Sequence, residues 1–172
     1  HIFYFGTKYS KTMGATVSGP DGNSLELHMG SYGIGVSRLV GAIIEASHDD
    51  KGIIWPEAIS PFDIAIINLK PGNEIVDNMS ETLYQTGLLN KHDCLYDDSD
   101  ESAGTKLAVM DLIGIPWQLV VGPRGLKQNI IELKHRKSGR VLEISPEMAI
   151  EFISKQGNFI MPDTSFLNGT KI

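Results

Sequence analysis

The sequence of 172 residues is poor in the features that mark membrane, disulfide-stabilised or strongly basic proteins. Its one cysteine, Cys94, cannot form an internal disulfide, which favours a reducing compartment. No apolar run approaches the roughly 18 residues that a membrane-spanning helix needs. The net charge of −6 argues against a protein held on nucleic acid by its overall charge. With 41% hydrophobic and 21% charged residues, the composition is that of a globular protein, which we expect to be cytoplasmic with no membrane contact.

The positive charges are unevenly distributed. Between Gly122 and Arg140 six basic residues accompany a single acid, Glu132. They are Arg124, Lys127, Lys134, Arg136, Lys137 and Arg140. A local patch of this kind can hold a polyanion over a limited footprint, and the alternative is a solvated hairpin with charged tips. Strand alternation places Lys134 and Arg136 on one face, where they could reach a phosphate together.

The first 55 residues predict short strands followed by one helix. Apolar strands are expected at 2–5, 15–17 and 25–29, and the Gly-Pro-Asp-Gly turn at 19–22 predicts a hairpin between the last two. Five apolar residues then follow helical spacing, namely Val36, Leu39, Val40, Ile43 and Ile44. The sequence Asp-Asp-Lys-Gly at 49–52 ends this helix.

The remainder alternates strands and helices. Strands are predicted at 62–69, 93–96 and 117–121, with helices at 75–89 and 104–114 between them. A hairpin at 130–144 and a helix at 146–155, opened by Ser145 and Pro146, complete the series. This order predicts an α/β fold with a central, largely parallel sheet flanked by helices. The segment from Gly157 onward shows no periodicity and is predicted to be a terminal extension.

The stretch GSYGIGVSRLVGAIIE at 30–45 carries the most specific chemistry. Gly33 and Gly35 suggest a dinucleotide fingerprint, but Arg38 stands where a third glycine is needed, and no Walker lysine follows. Close packing of the helix on a sheet would also explain the glycines. Their combination with Arg38 instead favours a flat ring lying on the backbone, with a guanidinium stacked over it or bonded to a phosphate.

This stretch resembles the third signature motif of class II aminoacyl-tRNA synthetases. The segments HIFYFGTKYS, GIIWPEAISPF and DLIGIPWQLVVGPRGL resemble bacterial-type prolyl-tRNA synthetase, in the family's order and over roughly residues 1–155. The resemblance implies the end of a class II catalytic domain at 1–58, with antiparallel strands and the motif 3 helix. It further implies a mixed-sheet anticodon-binding domain at 59–156 and an extension at 157–172.

The resemblance also implies a reaction and its participants. The family activates proline with ATP to a prolyl-adenylate and transfers it to tRNA(Pro), so ATP with Mg²⁺ is expected as substrate in the full-length homodimer, without a permanent cofactor or a metal site in this chain. By correspondence with motif 3, Arg38 packs over one face of the adenine, and Gly33 and Gly35 keep the backbone surface beneath the ring flat. The proline pocket would include His1, Phe3 and Ser31. The candidates for tRNA binding are Lys106, Arg124, Lys134 and Arg136.

Two departures from the family pattern qualify these expectations. The arginine and proline that commonly precede Gly104 are replaced by the acidic and serine-containing segment at 97–103, which leaves Lys106 as the nearby cation. Motifs 1 and 2 do not occur in the sequence, which begins at His1 within an apolar run. We therefore expect a C-terminal piece that is inactive alone. The alternatives are a non-catalytic tRNA-binding module derived from a class II synthetase and an unrelated nucleotide-binding regulator.

Overall fold

The computed structural model describes residues 1–155, which form both helices and strands. They belong to two units, His1–Ala42 and a second that begins at Ile43. The predicted extension at 157–172 lies outside the described residues. No helix within 1–155 is both long enough and apolar enough to cross a membrane.

The first unit consists of short elements. In chain order they are β1 (Phe3–Gly6), α1 (Lys8–Met13), β2 (Thr16–Ser18), β3 (Ser24–Glu26), β4 (Met29–Ser31) and the start of α2 (Val36–Ala46). Strands β2 and β3 form the predicted antiparallel hairpin, and Gly22 closes its turn with φ of +77° and an N–H bond to the Gly19 carbonyl oxygen (2.9 Å). Helix α1 was not predicted, because six residues are too few to show a helical period.

The single strand predicted at 25–29 is wrong. The structure divides it into β3, which pairs with β2, and β4, which pairs with β1. Between them the Leu27 N–H donates to the Ala15 carbonyl oxygen (3.2 Å), while the Leu27 carbonyl oxygen accepts from Ser10 Oγ (2.5 Å). The chain therefore changes its pairing partner at this point, which the apolar pattern does not reveal.

The second unit begins with a small hairpin and continues as an α/β domain. Its elements are β5 (His48–Asp49), β6 (Gly52–Ile53), a 3₁₀ turn (Glu57–Ile59), β7 (Ile64–Asn68), α3 (Glu74–Leu89), β8 (Cys94–Asp97), α4 (Ala103–Ile113), β9 (Trp117–Val121), α5 (Pro123–Lys127), β10 (Ile131–His135), β11 (Val141–Ile144) and α6 (Pro146–Ser154). The predicted helices and the larger sheet are confirmed within a few residues at each end. The β5–β6 hairpin and α5 were not predicted.

Five strands form one mixed sheet in the order β11-β10-β9-β7-β8. Strand β7 pairs in parallel with β8 and β9, and the β9–β10 and β10–β11 pairs are antiparallel. The mixed sheet flanked by helices is confirmed, although only three of its strands are mutually parallel. Alternate residues of the strands point to opposite faces: Ile66 and Leu119 pack in the same cluster as Leu83 of α3 and Phe152 of α6. On the other face, Ile67 and its neighbours pack with α4.

Helix boundaries follow the capping chemistry of the sequence. The side chains of Asn73, Ser102 and Ser145 accept N–H bonds in the first turns of α3, α4 and α6. Gly114 ends α4 in the left-handed conformation. These local signals explain why the second unit could be predicted closely.

The predicted domain bounds at 58 and 156 stay predictions. Residues 43–58 belong to the second compact unit rather than to the first. The reason is local packing: the Trp55 indole N–H donates to the Ile113 carbonyl oxygen (2.9 Å) at the end of α4.

Candidate nucleic-acid interface

The carboxyl ends of the parallel strands form a concave region of the second unit. Helices α3 and α4 follow the adjacent strands β7 and β8 but pack on opposite faces of the sheet. In α/β proteins this arrangement opens a crevice beyond the strand ends, where ligands bind. We call this region the carboxyl edge.

Three cavities lie along the carboxyl edge. One of about 400 Å³ is lined by β8 and α4, including Tyr96 and Lys106. A second of about 330 Å³ is lined by the segment after β9, including Gly122 and Arg124. A third of about 420 Å³ lies along the first turns of α3 and is lined in part by Asp77.

Lys106 forms part of the inner wall of this edge. Its side chain is buried, and its Nζ donates to the Asn68 carbonyl oxygen at the end of β7 (2.6 Å). The same ammonium lies 3.6 Å from Asp97 Oδ1 at the end of β8. Lys106 therefore links the ends of two adjacent strands, and its charge is compensated within the domain. A direct role in tRNA binding stays a prediction.

The acidic segment after β8 has its own local order. Asp97 accepts bonds from the backbone N–H (3.1 Å) and the hydroxyl (2.6 Å) of Ser99. Ser102 then caps α4. The segment that replaces the family's arginine and proline is thus folded as a turn leading into a helix.

Arg124 is the candidate that remains exposed at the carboxyl edge. It lies in the first turn of α5, directly after β9, and lines the second cavity. Within residues 1–155 no ion pair involves Arg124, so its side chain is available to a ligand. Its predicted role in tRNA binding is untested but is compatible with its place in the fold.

Lys134 and Arg136 do not lie at the carboxyl edge. Strand β10 runs antiparallel to β9, so Lys134 is opposite Gln118, and the Arg136 N–H donates to the Pro116 carbonyl oxygen just before β9 begins (2.8 Å). The positive run is therefore stretched along β10 from one end of the sheet to the other. The structure does not bring the four predicted cations together.

The alternative of a solvated hairpin does not fit Lys134 and Arg136, because both side chains contact acidic residues. Lys134 forms an ion pair with Asp111 of α4. Arg136, only 4% exposed, donates to both carboxylate oxygens of Asp49 (2.8 and 2.6 Å). Alternation correctly placed the two cations on one side of the strand, since both contact Asp111. That side is covered by acidic partners distant in sequence, and phosphate binding by these residues stays a prediction.

The Asp49–Arg136 pair was missed by sequence reasoning. Bonding to the guanidinium lowers the pKa of the Asp49 carboxyl well below its usual range, and the same bonds raise the pKa of Arg136. Asp49 also accepts from the backbone N–H groups of Lys51 (2.9 Å) and Gly52 (3.1 Å). The Asp-Asp-Lys-Gly turn was visible in the sequence, but its partner 87 residues away was not.

In the first unit, two of the predicted proline-pocket residues lie side by side. Phe3 and Ser31 are direct partners in the antiparallel β1–β4 pair, and both are exposed. His1 is exposed just before β1. The structure thus places Phe3 next to Ser31, while their role in binding proline stays a prediction.

The motif 3 residues surround the start of α2. The Gly35 carbonyl oxygen accepts from the N–H groups of Arg38 (3.0 Å) and Leu39 (3.2 Å), and the Arg38 side chain is exposed. A methyl group built at Gly33 would meet no atom within 4 Å, and one at Gly35 would meet only Arg38 Cβ, at 3.5 Å. Packing within the described residues therefore does not require glycine at either position. The adenine-binding role of these residues stays a prediction.

Comparison with known proteins gives concordant results. The family described as "Anticodon binding domain" matches residues 63–156. The proline--tRNA ligase of Parvibaculum lavamentivorans is 59% identical over 154 residues, which cover 90% of this chain and 35% of the relative. That of Roseobacter denitrificans is 60% identical over 154 residues, covering 90% of this chain and 34% of the relative. The chain thus spans about a third of the length of these relatives.

Solved structures share the fold. A Giardia lamblia prolyl-tRNA synthetase, determined in complex with prolyl-adenylate, aligns with a TM-score of 0.66 and 22% identity over 90% of this chain and 32% of its own. A Cryptosporidium parvum prolyl-tRNA synthetase, complexed with L-proline and AMP, aligns with a TM-score of 0.66 and 19% identity over 89% of this chain and 36% of its own. The predicted resemblance is confirmed, and the chain belongs to the anticodon binding domain family, within a segment homologous to bacterial proline--tRNA ligases.

Proposed function

We propose that this chain is part of a proline--tRNA ligase, about a third of its length, and that the whole enzyme activates proline with ATP and transfers it to tRNA(Pro). The observation that carries the proposal is the identity of 59% to a bacterial proline--tRNA ligase over 90% of the chain. An alignment of that extent includes residues of both units, and thus more than the anticodon-binding family match at 63–156. A module for tRNA binding alone would have no use for the motif 3 glycines and arginine.

The first unit would supply part of the adenylate site. Exposed on the first turn of α2, Arg38 can stack over an adenine or bond to a phosphate. Gly33 and Gly35 leave the space beside the backbone open. Phe3 and Ser31, adjacent across the β1–β4 pair, offer an apolar surface and a hydroxyl to a compact ring, with His1 close in sequence.

ATP would enter as its magnesium complex, as a substrate. Within residues 1–155 no group of three or more His, Cys, Asp or Glu side chains could hold a metal ion. The charge that develops on the reacting phosphate has to be stabilised by groups outside these motif 3 residues, and this chain alone is expected to show no proline-dependent pyrophosphate exchange.

The second unit would bind the anticodon loop of tRNA(Pro) at its carboxyl edge. Bases of a loop can unstack and enter cavities of the size found there. Arg124 is the exposed cation that would contact the RNA, and Lys106 would support the edge from within. As in the family, the complete enzyme is proposed to be a cytoplasmic homodimer.

The test is a pair of substitutions in the complete enzyme. Arg38→Ala is expected to reduce the proline-dependent pyrophosphate exchange rate by roughly 30-fold, corresponding to about 2 kcal/mol of lost transition-state stabilisation. Its affinity for tRNA should not change, since the anticodon loop is bound by the other unit.

Arg124→Ala is the matched control. It is expected to weaken tRNA binding and to lower its salt dependence by about one unit of slope, without changing pyrophosphate exchange. Unchanged exchange in Arg38→Ala would contradict the adenine site. A complete wild-type protein that binds tRNA without any exchange activity would instead identify a non-catalytic module.

A further inference from the structure

Lys70 is an exposed cation at the carboxyl edge, on the loop between β7 and α3. It follows β7, the strand that pairs in parallel with both β8 and β9. The Lys70 N–H donates to Asn68 Oδ1 (2.9 Å), and the Lys70 carbonyl oxygen accepts from the Asn73 N–H (3.1 Å). No ion pair within residues 1–155 involves its ammonium. An ordered turn therefore presents a positive charge without an acidic partner in the described part of the chain.

The loop that carries Lys70 contacts the loop that carries Arg124. The Leu69 N–H donates to the Val121 carbonyl oxygen at the end of β9 (2.9 Å), and a Cβ built on Gly122 would lie 3.2 Å from Leu69 Cδ1. Leu69 and Arg124 also line the same cavity of about 330 Å³. The two exposed cations thus lie on touching loops at one end of the sheet.

The β8 side of the same edge is acidic. Asp98 and Glu101 line the cavity of about 400 Å³. Asp77 and Glu81 line the cavity of about 420 Å³ together with Asp98. The charge of Lys106 on this side is buried and compensated within the domain. The charge of the carboxyl edge therefore changes sign between the β8 side and the β7–β9 side.

One carboxylate, Glu132, lines the cavity beside Arg124. It is exposed on β10 and lies directly opposite Glu143 in the pairing with β11. Like charges in this arrangement repel each other, so β11 does not neutralise Glu132. A phosphate bound to Arg124 alone would be opposed by this carboxylate. A second cation, Lys70, gives the β7–β9 side a net positive charge.

We propose that Lys70 and Arg124 together contact the sugar–phosphate backbone of the bound RNA loop, and that its bases face the acidic β8 side. Ammonium and guanidinium groups bind phosphates through charge-assisted hydrogen bonds. Carboxylates repel phosphates but accept N–H groups from the edges of bases. The inference rests on the proposed function, which assigns the carboxyl edge to RNA, whereas the division of charge is a property of this chain.

The first experiment measures the affinity of the complete enzyme for tRNA(Pro) over a series of salt concentrations. Lys70→Ala and Arg124→Ala are each expected to weaken binding by about three- to tenfold and to lower the salt slope by roughly 0.7 to one unit. The double variant should lower the slope by about twice as much. Lys70→Arg keeps the charge and should keep the slope of the wild type.

The matched control is Lys137→Ala, the loss of an exposed cation in the turn after β10, at the opposite edge of the sheet. It should leave affinity and slope unchanged. An unchanged slope in Lys70→Ala, or an equal loss in Lys137→Ala, would overturn the two-cation contact while the proposed function stands. A complete wild-type enzyme that does not bind tRNA would contradict the proposed function and this inference together.

The second experiment separates backbone contacts from base contacts. Lys70→Ala should weaken binding by the same factor for tRNA(Pro) and for a tRNA(Pro) with substituted anticodon bases, because phosphates carry no sequence information. Asp98→Asn removes a charge at constant size and should lower the ratio of the two affinities by about threefold or more. Its control is Asp100→Asn, the loss of an exposed charge that lines none of the three cavities.

Two outcomes of this second experiment would contradict the assignment. An unchanged affinity ratio in Asp98→Asn, or an equal drop in Asp100→Asn, would overturn the placement of bases on the β8 side. A loss in Lys70→Ala that is confined to the unaltered tRNA would show that Lys70 contacts a base, and would overturn its role on the backbone.

Discussion

The two units of this chain have similar apolar patterning but very different burial. Phe3 is 72% exposed and Val36 is 78% exposed in the first unit, where Ser10 is the one buried residue among those described. In the second unit Ile66 and Leu119 are completely buried, within a cluster that unites one face of the sheet with α3 and α6. The same kinds of residues at similar spacing thus reach opposite environments.

The difference shows what an apolar pattern does and does not specify. A strand or an amphipathic helix presents an apolar face, but a core forms only when a second layer covers that face. The second unit contains both layers within its own sequence, because each of its long helices packs on the sheet that it connects. The paired strands of the first unit have no such covering layer among the described residues of that unit.

The largest expected effect comes from a matched pair of leucines. Leu119→Ala should lower the free energy of unfolding of the second unit by about 3 kcal/mol, because it leaves a cavity in a closed core. Leu39 lies in the first unit at a position that is 44% exposed. Leu39→Ala should change the free energy of unfolding of that unit by less than about 0.5 kcal/mol. Urea denaturation monitored by far-UV circular dichroism measures both. Equal effects would contradict the contrast between the two units.

A pair of glycines gives the next largest effect. Gly14 and Gly114 both end helices in the left-handed conformation, with φ of 62° and 82°. Gly14→Ala meets open space and should cost about 1 kcal/mol of backbone strain at the end of α1. Gly114→Ala adds a clash with the Ile53 carbonyl oxygen at 2.2 Å, so its cost should exceed 2 kcal/mol, or about twice as much.

Hydrogen exchange near each substituted glycine, together with urea denaturation, separates the two costs. Loss of protection should be confined to α1 in Gly14→Ala and should extend to Ile54 and Trp55 in Gly114→Ala. Similar costs at the two sites would show that the backbone relaxes at Gly114, and that the close fit of the hairpin is not rigid.

The smallest expected effect concerns two aspartates whose pKa values are both lowered. Asp21 of the first unit is held by bonds from Asn23, two residues away, whereas Asp49 is held by distant Arg136. A carboxyl with a lowered pKa in the folded state contributes stability above its unfolded value, near 3.8, and loses it as the pH falls toward the folded value. The difference in stability between wild type and Asp49→Asn should therefore be constant above about pH 5 and shrink below about pH 4.

Asp21→Asn is the matched control for the pH dependence. It alters one exposed turn and should leave the acid unfolding of the second unit unchanged. Denaturant titrations at a series of pH values measure both variants. A wild-type stability advantage over Asp49→Asn that does not shrink at all between about pH 5 and pH 3 would mean that the carboxylate charge is not what holds the hairpin.

Much of the second unit was predictable because its signals are local. Helices α3 and α6 have apolar periods long enough to detect, and the ends of α3, α4 and α6 coincide with Asn73, Ser102, Gly114 and Ser145. Strand β9 was predicted with its observed bounds, 117–121, because a short apolar run between Pro116 and Gly122 allows little else. The short helices α1 and α5 and the two-residue strands of the β5–β6 hairpin were missed, since such segments hold too few residues for a period.

The candidate site was predictable in chemistry but less so in geometry. The resemblance carried by the motif 3 stretch and its neighbouring segments indicated the right family, which the comparisons confirm. Phe3 lies next to Ser31 because β1 pairs with β4 in antiparallel orientation. The apolar pattern at 25–29 does not show that β3 and β4 pair with different strands. Lys106 was identified as a cation near the acidic segment, yet its ammonium donates to the carbonyl oxygen of Asn68, 38 residues earlier in the sequence.

By itself the sequence determined, within a few residues, the boundaries of the longer helices and strands of the second unit, the polar and apolar faces of β10, and the family. Tertiary structure alone decided which polar faces meet solvent. Lys134 and Arg136 belong to a polar side, as alternation requires, but that side is covered by Asp111 and by Asp49, 87 residues away from Arg136. Periodicity reports only neighbours within a few residues along the chain. The partners of a charge depend on how distant segments pack, because an ion pair is formed by proximity in space.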